Sequence, residues 1–170
     1  MDIRNGEPRD ADAIERISRA SFDRVYAFFA IHGVRRAWPL LVAEEDGSVA
    51  GFLEGKLFDG HPPIGYIYYV AVDPTQRRRG IARDLIGEAL AVFEHRGATR
   101  VFAAVSPEND ASMAMLASLG FHEVDRQALW PWYGWRGLWA RMWMVLAPFE
   151  TLLVREAREH FRPSLPRAPP

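Results

Sequence analysis

The residues with the clearest chemical potential form one run, Gln76-Arg77-Arg78-Arg79-Gly80-Ile81-Ala82. Three consecutive guanidinium groups offer positive charge and forked donors to an anion. The glycine after them would let that anion approach the backbone without meeting a Cβ. Before the run stand seven aromatic, β-branched or small apolar residues, Tyr66–Val72, which read as a buried strand. Asp73-Pro74 ends it, because proline has no N–H for the next ladder bond. After the run the apolar spacing turns helical, through Ile81, Leu85, Ala89 and Val92. A strand, a basic turn and a helix N-terminus together present unpaired N–H groups and the positive end of a helix dipole, which is chemistry for a phosphate or pyrophosphate. The plainer alternative is a solvated basic turn capping an ordinary core helix. Neither Gly-Lys-Ser/Thr nor G-x-G-x-x-G is present, so the run is no Walker loop and no dinucleotide fingerprint.

Other chemistries find less support. Without cysteine the chain has no disulfide, thiolate metal site or thiol nucleophile. The five histidines, at 32, 61, 95, 122 and 160, lack metal-ligand spacing, and no metal is expected. No G-x-S-x-G elbow surrounds Ser106 or Ser118, and Ser112 reads as a helix surface position. The formal net charge of −1 gives no global field for nucleic acid or a membrane surface. Lys56 is the only lysine among 21 cationic side chains, a bias that genome composition explains better than anion binding does. Met1-Asp2-Ile3-Arg4 opens with no apolar h-region, and Leu138–Leu153 is broken by Arg141, Pro148 and Glu150. Neither a signal peptide nor a membrane span is expected, and the default location is the cytoplasm.

The elements that must position these residues follow from periodicity. Asp2–Arg4 is a short strand candidate. Helical spacing follows from Pro8 through Ile14, Ile17 and Ala20, and again over Phe22–His32, with Gly33 as a C-terminal stop. Leu40–Glu44 and Val49–Phe58 are strands whose Asp46-Gly47 marks a hairpin. After the helix from Gly80 to Arg96 come a strand at Arg100–Val105, a helix at Ala111–Leu119, and strands at Phe121–Arg126 and Trp139–Leu146. Glu150–Phe161 reads as a C-terminal helix. The order predicts a mixed, mostly antiparallel α/β sheet flanked by helices, in one domain over 1–146. A helical extension over 147–162 and a flexible proline-rich tail over 163–170 are expected to follow.

Val70-Ala71-Val72-Asp73-Pro74-Thr75-Gln76-Arg77-Arg78-Arg79-Gly80-Ile81-Ala82 resembles the acetyl-CoA motif of the GCN5-related N-acetyltransferase (GNAT) superfamily, Q/R-x-x-G-x-G/A, with Arg77, Gly80 and Ala82 at its defined positions. Asn109 through Gly120-Phe121 is similar to the family's second block, N-x-x-A/S…x-G-F, at the usual spacing. The resemblance implies a sheet with a splayed central strand pair, Tyr66–Val72 parting from Arg100–Val105. It implies acetyl-CoA as cofactor, with the pyrophosphate on the N–H groups of Arg78, Arg79, Gly80, Ile81 and Ala82, and pantetheine paired with Val70 and Val72. It further implies that Asn109 orients the cofactor arm and that the Val72 N–H polarises the thioester carbonyl while an amine attacks directly.

The chain departs from the family where proton transfer is concerned. Leu116 stands at the place of a frequent tyrosine acid, and Tyr66 and Ala104 at places of a frequent glutamate base. Glu54 is the nearest carboxylate for a base and Tyr68 a further candidate. For Glu54 a solvent-facing strand position competes with that role, and a relaying water with both. Two readings stay open: an N-acetyltransferase for a primary amine of a small molecule or peptide, and a non-catalytic acyl-CoA-binding or partner-binding module. Five of the six tryptophans fall between Trp130 and Trp143. That stretch fits a cover over the sheet or a second subunit, an acceptor wall, or a membrane-interface loop. A homodimer is expected through it or through the C-terminal helix. Few carboxylates in Phe22–His32 and Trp130–Trp139 point to an amine on an apolar or peptide-like body.

Overall fold

The computed structural model describes residues 1–59, 62–129 and 149–157. In chain order these form β1 (Asp2–Asn5), α1 (Ala11–Ser21), α2 (Arg24–Gly33), β2 (Leu40–Glu45), β3 (Ser48–Phe58), β4 (Ile64–Val72), α3 (Ile81–His95), β5 (Arg100–Val105), α4 (Asp110–Ser118), β6 (His122–Glu123) and β7 (Thr151–Glu156). The strands make one sheet in the order β1-β2-β3-β4-β5-β7-β6. Among the described strands only β4 and β5 pair in parallel. A parallel pair needs a long crossover, and α3 supplies it. The mixed, mostly antiparallel sheet is the one expected.

Each face of the sheet is covered, which is why its strands run apolar on both sides. On one face α3 buries Ile81, Leu85, Ile86, Ala89, Leu90 and Phe93 against Leu53, Ile67, Val101, Ala103 and Leu153. On the other, Ile14 and Ile17 of α1 meet Val42, Phe52 and Ala71. Farther along that face lie Tyr66, Phe102, Leu152 and Val154. The β2–β3 hairpin closes on Asp46-Gly47, since Glu45 stands opposite Ser48.

Three expectations need correction. The C-terminal helix is absent over 151–157: Thr151–Glu156 is β7, lying between β5 and β6. Leu152, Leu153 and Val154 are all buried, alternately on the two faces. A short apolar run covered on both sides carries no periodicity that separates strand from helix. The domain boundary at 146 therefore cuts off a strand of its own sheet, and among the described residues 149–157 no helix is present. The expected strand at Phe121–Arg126 is reduced to His122–Glu123. Gly33 does not end α2 by turning left-handed; at φ −69° it stays helical and the chain passes into a 3-10 turn, Val34–Arg36. A Cβ there would lie 2.7 Å from Glu54 Oε2, so close approach is what the site asks of glycine. The expected strand at Trp139–Leu146, the Trp130–Trp139 stretch and the tail lie outside the described residues.

Candidate active site

Strand β4 has two partners at its start and one at its end. Ile64–Ile67 pair with Arg100–Ala103 of β5, and beyond Ile67 that pairing stops. The β3–β4 ladder continues to Val72 but slips on the way: Gly55 faces Ile67 and Glu54 faces Tyr69. Tyr68 is thus an extra residue, a bulge that bends β4 away from β5. The bulge also changes which way side chains point. Tyr66 and Tyr68 pack on the α1–α2 face with Phe102, and Tyr69 packs there too, with Phe52 and Ala71. Two consecutive tyrosines share one face, which strict alternation forbids.

The gap opened by the splay has backbone on one wall. Asp73 N–H donates to the Ala50 carbonyl at 2.8 Å, so Asp73 and Ala71 spend their polar groups on β3. By ladder alternation the groups of Val70 and Val72 turn toward the gap. The Val72 carbonyl already accepts from Ser21 Oγ at 3.4 Å and Arg77 Nε at 3.3 Å, and Arg77 Nη2 reaches Ser21 Oγ at 3.1 Å. These contacts tie the end of α1 to the end of β4.

Beyond Val72 the chain turns sharply. Asp73 caps a short 3-10 turn, accepting from Thr75 N at 3.0 Å and Thr75 Oγ1 at 2.7 Å, and it pairs with Arg16. The Arg16 guanidinium, then the Thr75 donors, hold its carboxyl down at about 2. Arg78 has φ 64° and Gly80 φ 85°, both left-handed, directly before α3. Left-handed residues in such a turn aim successive N–H groups into a concavity that suits an anion, and a non-glycine residue held there is strain of the kind found at functional sites. The concavity opens into a cavity of about 560 Å³ lined by Val70–Val72, Arg77, Arg78, Gly80–Arg83 and Asn109. Ile81 has its side chain in the core and so offers only backbone to it.

Not every expected group faces this cleft. The Arg79 side chain turns away, forked onto Glu45 at 2.6 Å through both terminal nitrogens and bonded to Gln76. Only its backbone is left for an anion. Asn109 lines the cleft, yet its side-chain oxygen is occupied, capping α4 by accepting from Ser112 N at 3.1 Å. Its NH₂ is what it can offer. Ser112 is half-buried and lines the cleft, against the expectation of a surface position. Leu116, one turn later, is buried in the core.

A second cavity, of about 410 Å³, continues through the gap to the α1–α2 face. The two share Ser21, Phe22, Val70, Asn109, Ser112 and Met115 as their junction. Tyr26, Tyr68, Tyr69 and Glu150 line only the second. Burial pushes the Tyr68 hydroxyl up to about 12, and it raises Tyr69 as well, with Glu54 adding to it. Tyr26 Oη donates to Glu150 Oε1 at 2.6 Å, and that bond, with burial, pushes the phenol up to about 12.

Glu54 does not line either cavity. It is 2% exposed, with Oε1 lacking a hydrogen-bond partner, and burial alone pushes its carboxyl up to about 8. A solvent-facing strand position is thereby overturned. β2 and β4 flank β3, and Gly33 at the end of α2 closes on the Glu54 carboxyl, which alternation along a central strand could not reveal. The sequence reading missed Tyr26, Tyr69, Ser21 and Glu150. Tyr26 and Glu150 are 124 residues apart and share no motif; the bulge that turns Tyr69 inward leaves no mark in the apolar pattern.

Comparison with known proteins places this geometry. A family model described as "Acetyltransferase (GNAT) family" matches residues 8–121. An L-2,4-diaminobutyric acid acetyltransferase from Nocardia farcinica is 39% identical over 79 residues, 46% of this chain and 41% of the relative. A mycothiol acetyltransferase from Amycolatopsis mediterranei is 31% identical over 137 residues, 70% of this chain and 46% of the relative. The chain spans less than half the length of these two curated relatives. A PaiA N-acetyltransferase from Thermoplasma acidophilum, solved with coenzyme A, superposes with a TM-score of 0.70 at 14% identity, covering 92% of this chain and 98% of that one. At that identity the likeness is one of fold.

Proposed function

The chain belongs to the acetyltransferase (GNAT) family, and on that footing we propose that it transfers the acetyl group of acetyl-CoA to a primary amine of a small molecule or peptide. The observation that carries the reading is the open edge of β4 at Val70–Val72 running directly into the left-handed turn at Arg78–Gly80. A pantetheine amide chain needs an unpaired strand edge, and a pyrophosphate needs convergent N–H groups. The cleft supplies both, and the named relatives are acetyltransferases. When bound, acetyl-CoA supplies a thioester whose C–S bond breaks as the acceptor nitrogen forms a C–N bond.

In this reading the N–H groups of Arg78 to Ala82 hold the pyrophosphate, with Arg77 and Arg78 adding charge. Val70 and Val72 align the pantetheine arm, and the Val72 N–H donates to the thioester oxygen as charge develops there. Asn109 offers its NH₂ to the arm. Tyr68 keeps its proton at neutral pH, so it serves as a hydrogen-bond donor beside the departing sulfur and not as a base. Glu54, buried behind Tyr69, cannot touch the acceptor; its part is to position that phenol and tune it. A water in the second cavity carries away the amine proton.

Titration calorimetry with acetyl-CoA, followed by a thiol-release assay across a panel of primary amines, tests the proposal. Micromolar binding and amine-dependent release of coenzyme A are expected. No binding at millimolar cofactor would sink it, and binding without release across the panel favours the non-catalytic module.

A further inference from the structure

Glu150 lies outside the residues matched by the family model and belongs to no motif, yet its carboxylate is built into the second cavity. Three contacts fix it. Tyr26 of α2 donates to Oε1 at 2.6 Å, Arg126 donates to its backbone carbonyl, and Thr151 next to it begins the pairing of β7 with Val105. The carboxylate is thus held between α2 and β7 in the wall of an aromatic chamber that Phe22, Tyr68 and Tyr69 also line. No arginine, lysine or histidine is among the described residues lining that chamber. Asp23, the other acid on the wall, is spent on capping α2, where Oδ1 accepts from Val25 N at 2.8 Å and Tyr26 N at 2.9 Å.

Its charge and its surroundings decide what Glu150 can recognise. The junction with the cofactor cleft is made by Ser21, Phe22, Val70, Asn109, Ser112 and Met115, and Glu150 is not among these shared residues. The reacting nitrogen must be uncharged to attack. A fixed carboxylate with no cation among the described lining residues suits a charge that persists, and tyrosine faces in the same wall add cation–π stabilisation. We infer that Glu150 selects acceptors carrying a second, protonated amine beyond the one that is acetylated. This rests on the acetyltransferase reading and names the acceptor class for it. It departs from the expectation of an amine on an apolar or peptide-like body, which was drawn from segments that exclude Glu150.

The test compares 1,3-diaminopropane and 1,4-diaminobutane with n-propylamine and n-butylamine, in the wild type and in Glu150→Gln. Glutamine keeps an acceptor for the Tyr26 hydroxyl and removes only the charge. Hydrogen bonds to a charged partner are worth enough for the diamine-to-monoamine ratio of kcat/KM to fall by about 10- to 100-fold in the variant, through KM. Tyr26→Phe, which keeps the charge, lowers the ratio by less than about 3-fold. If Glu150 only clasps α2 to β7, Glu150→Gln leaves the ratio where it was, and that result overturns the inference. So does a wild type that turns over monoamines and diamines alike. Should no amine in the panel be acetylated, calorimetry of 1,4-diaminobutane against the acetyl-CoA complex decides: no difference between wild type and Glu150→Gln also overturns it. Failure of acetyl-CoA itself to bind removes the underlying reading first, so the two failures are distinguishable.

Discussion

The two ends of the gap beside β4 solve opposite problems. On the proposed reading, the cofactor end is made from one continuous stretch, Val70–Ala82, with Asn109 added, and would work through backbone groups. The acceptor end would be assembled from α2, the β4 bulge and the start of β7, and would work through side chains. Their buried carboxyls differ in the same way. Asp73 at the cofactor end is surrounded by Arg16 and Thr75 and stays ionised. Glu54 behind the acceptor end has no described cation beside it and one oxygen with no partner.

The largest effect expected from this contrast is in stability against pH. Glu54 has its carboxyl raised to about 8 by burial, from an ordinary value near 4.5. The unfolded chain therefore ionises first as pH rises. The stability tied to this group is full below about 4.5 and is lost as pH climbs through about 8, on the order of 4 kcal/mol in all. Glu54→Gln, neutral throughout, removes that loss, which urea unfolding at pH 5 and pH 9 measures. Asp73 has the opposite sign: its carboxyl is lowered to about 2, so its contribution is present above about 3.8 and fades only as pH falls through 2. A wild type as stable at pH 9 as at pH 5 would mean that Glu54 finds a partner the fold does not display.

Gly80 gives the next largest effect and bears on the cofactor end alone. At φ 85° it sits where a β-branched residue is strained, and its nearest contact for a Cβ is Asp84 Oδ2 at 4.0 Å. There is room for a side chain in the free protein, so beyond that backbone strain the cost falls on the ligand's approach. Gly80→Val is expected to weaken acetyl-CoA binding by about 100-fold, or ~3 kcal/mol, in calorimetry. Retained affinity would show that the anion does not lie against this turn.

The same contrast explains what could be read before any coordinates. The apolar run of β4, its stop at Asp73-Pro74 and the helix from Ile81 are local, so spacing revealed them together with the basic turn. The Asp46-Gly47 hairpin is local too. What stayed hidden depends on partners far along the chain. Leu152-Leu153-Val154 is a strand because β5 and β6 flank it, and nothing within the run says so. Tyr69 lines the second cavity because β4 carries one residue more than β3 across the bulge. Glu150 lines it too, fixed by Tyr26 lying across from it. Proximity along the chain, more than chemical type, set what was legible.

Asn109 joins the two regions and is expected to show a moderate effect in both. Its side chain caps α4. Asn109→Ala should therefore cost about 1 kcal/mol of stability, visible as a fall of a few degrees in Tm. It should also raise the Kd for acetyl-CoA through the lost NH₂. A full loss of stability without any change in Kd would confine the residue to capping.

Arg79 supplies the smallest effect and the sharpest discrimination, because it separates side-chain charge from backbone donors within a single turn. Its guanidinium is forked onto Glu45 on the outer side, half exposed, where an ion pair contributes at most about 1 kcal/mol. If backbone N–H groups hold the pyrophosphate, Arg79→Ala changes the Kd for acetyl-CoA by less than about 3-fold. The value should also respond little to ionic strength, since the removed charge was already neutralised by Glu45. Arg78→Ala is the control on the same turn: Arg78 lines the cleft, as Arg79 does not, so a larger weakening that shrinks at high salt is expected. A loss of tenfold or more on Arg79→Ala would mean that its guanidinium leaves Glu45 when the cofactor arrives. In that case the cofactor end, like the acceptor end, is completed by side chains, and the division between them gives way.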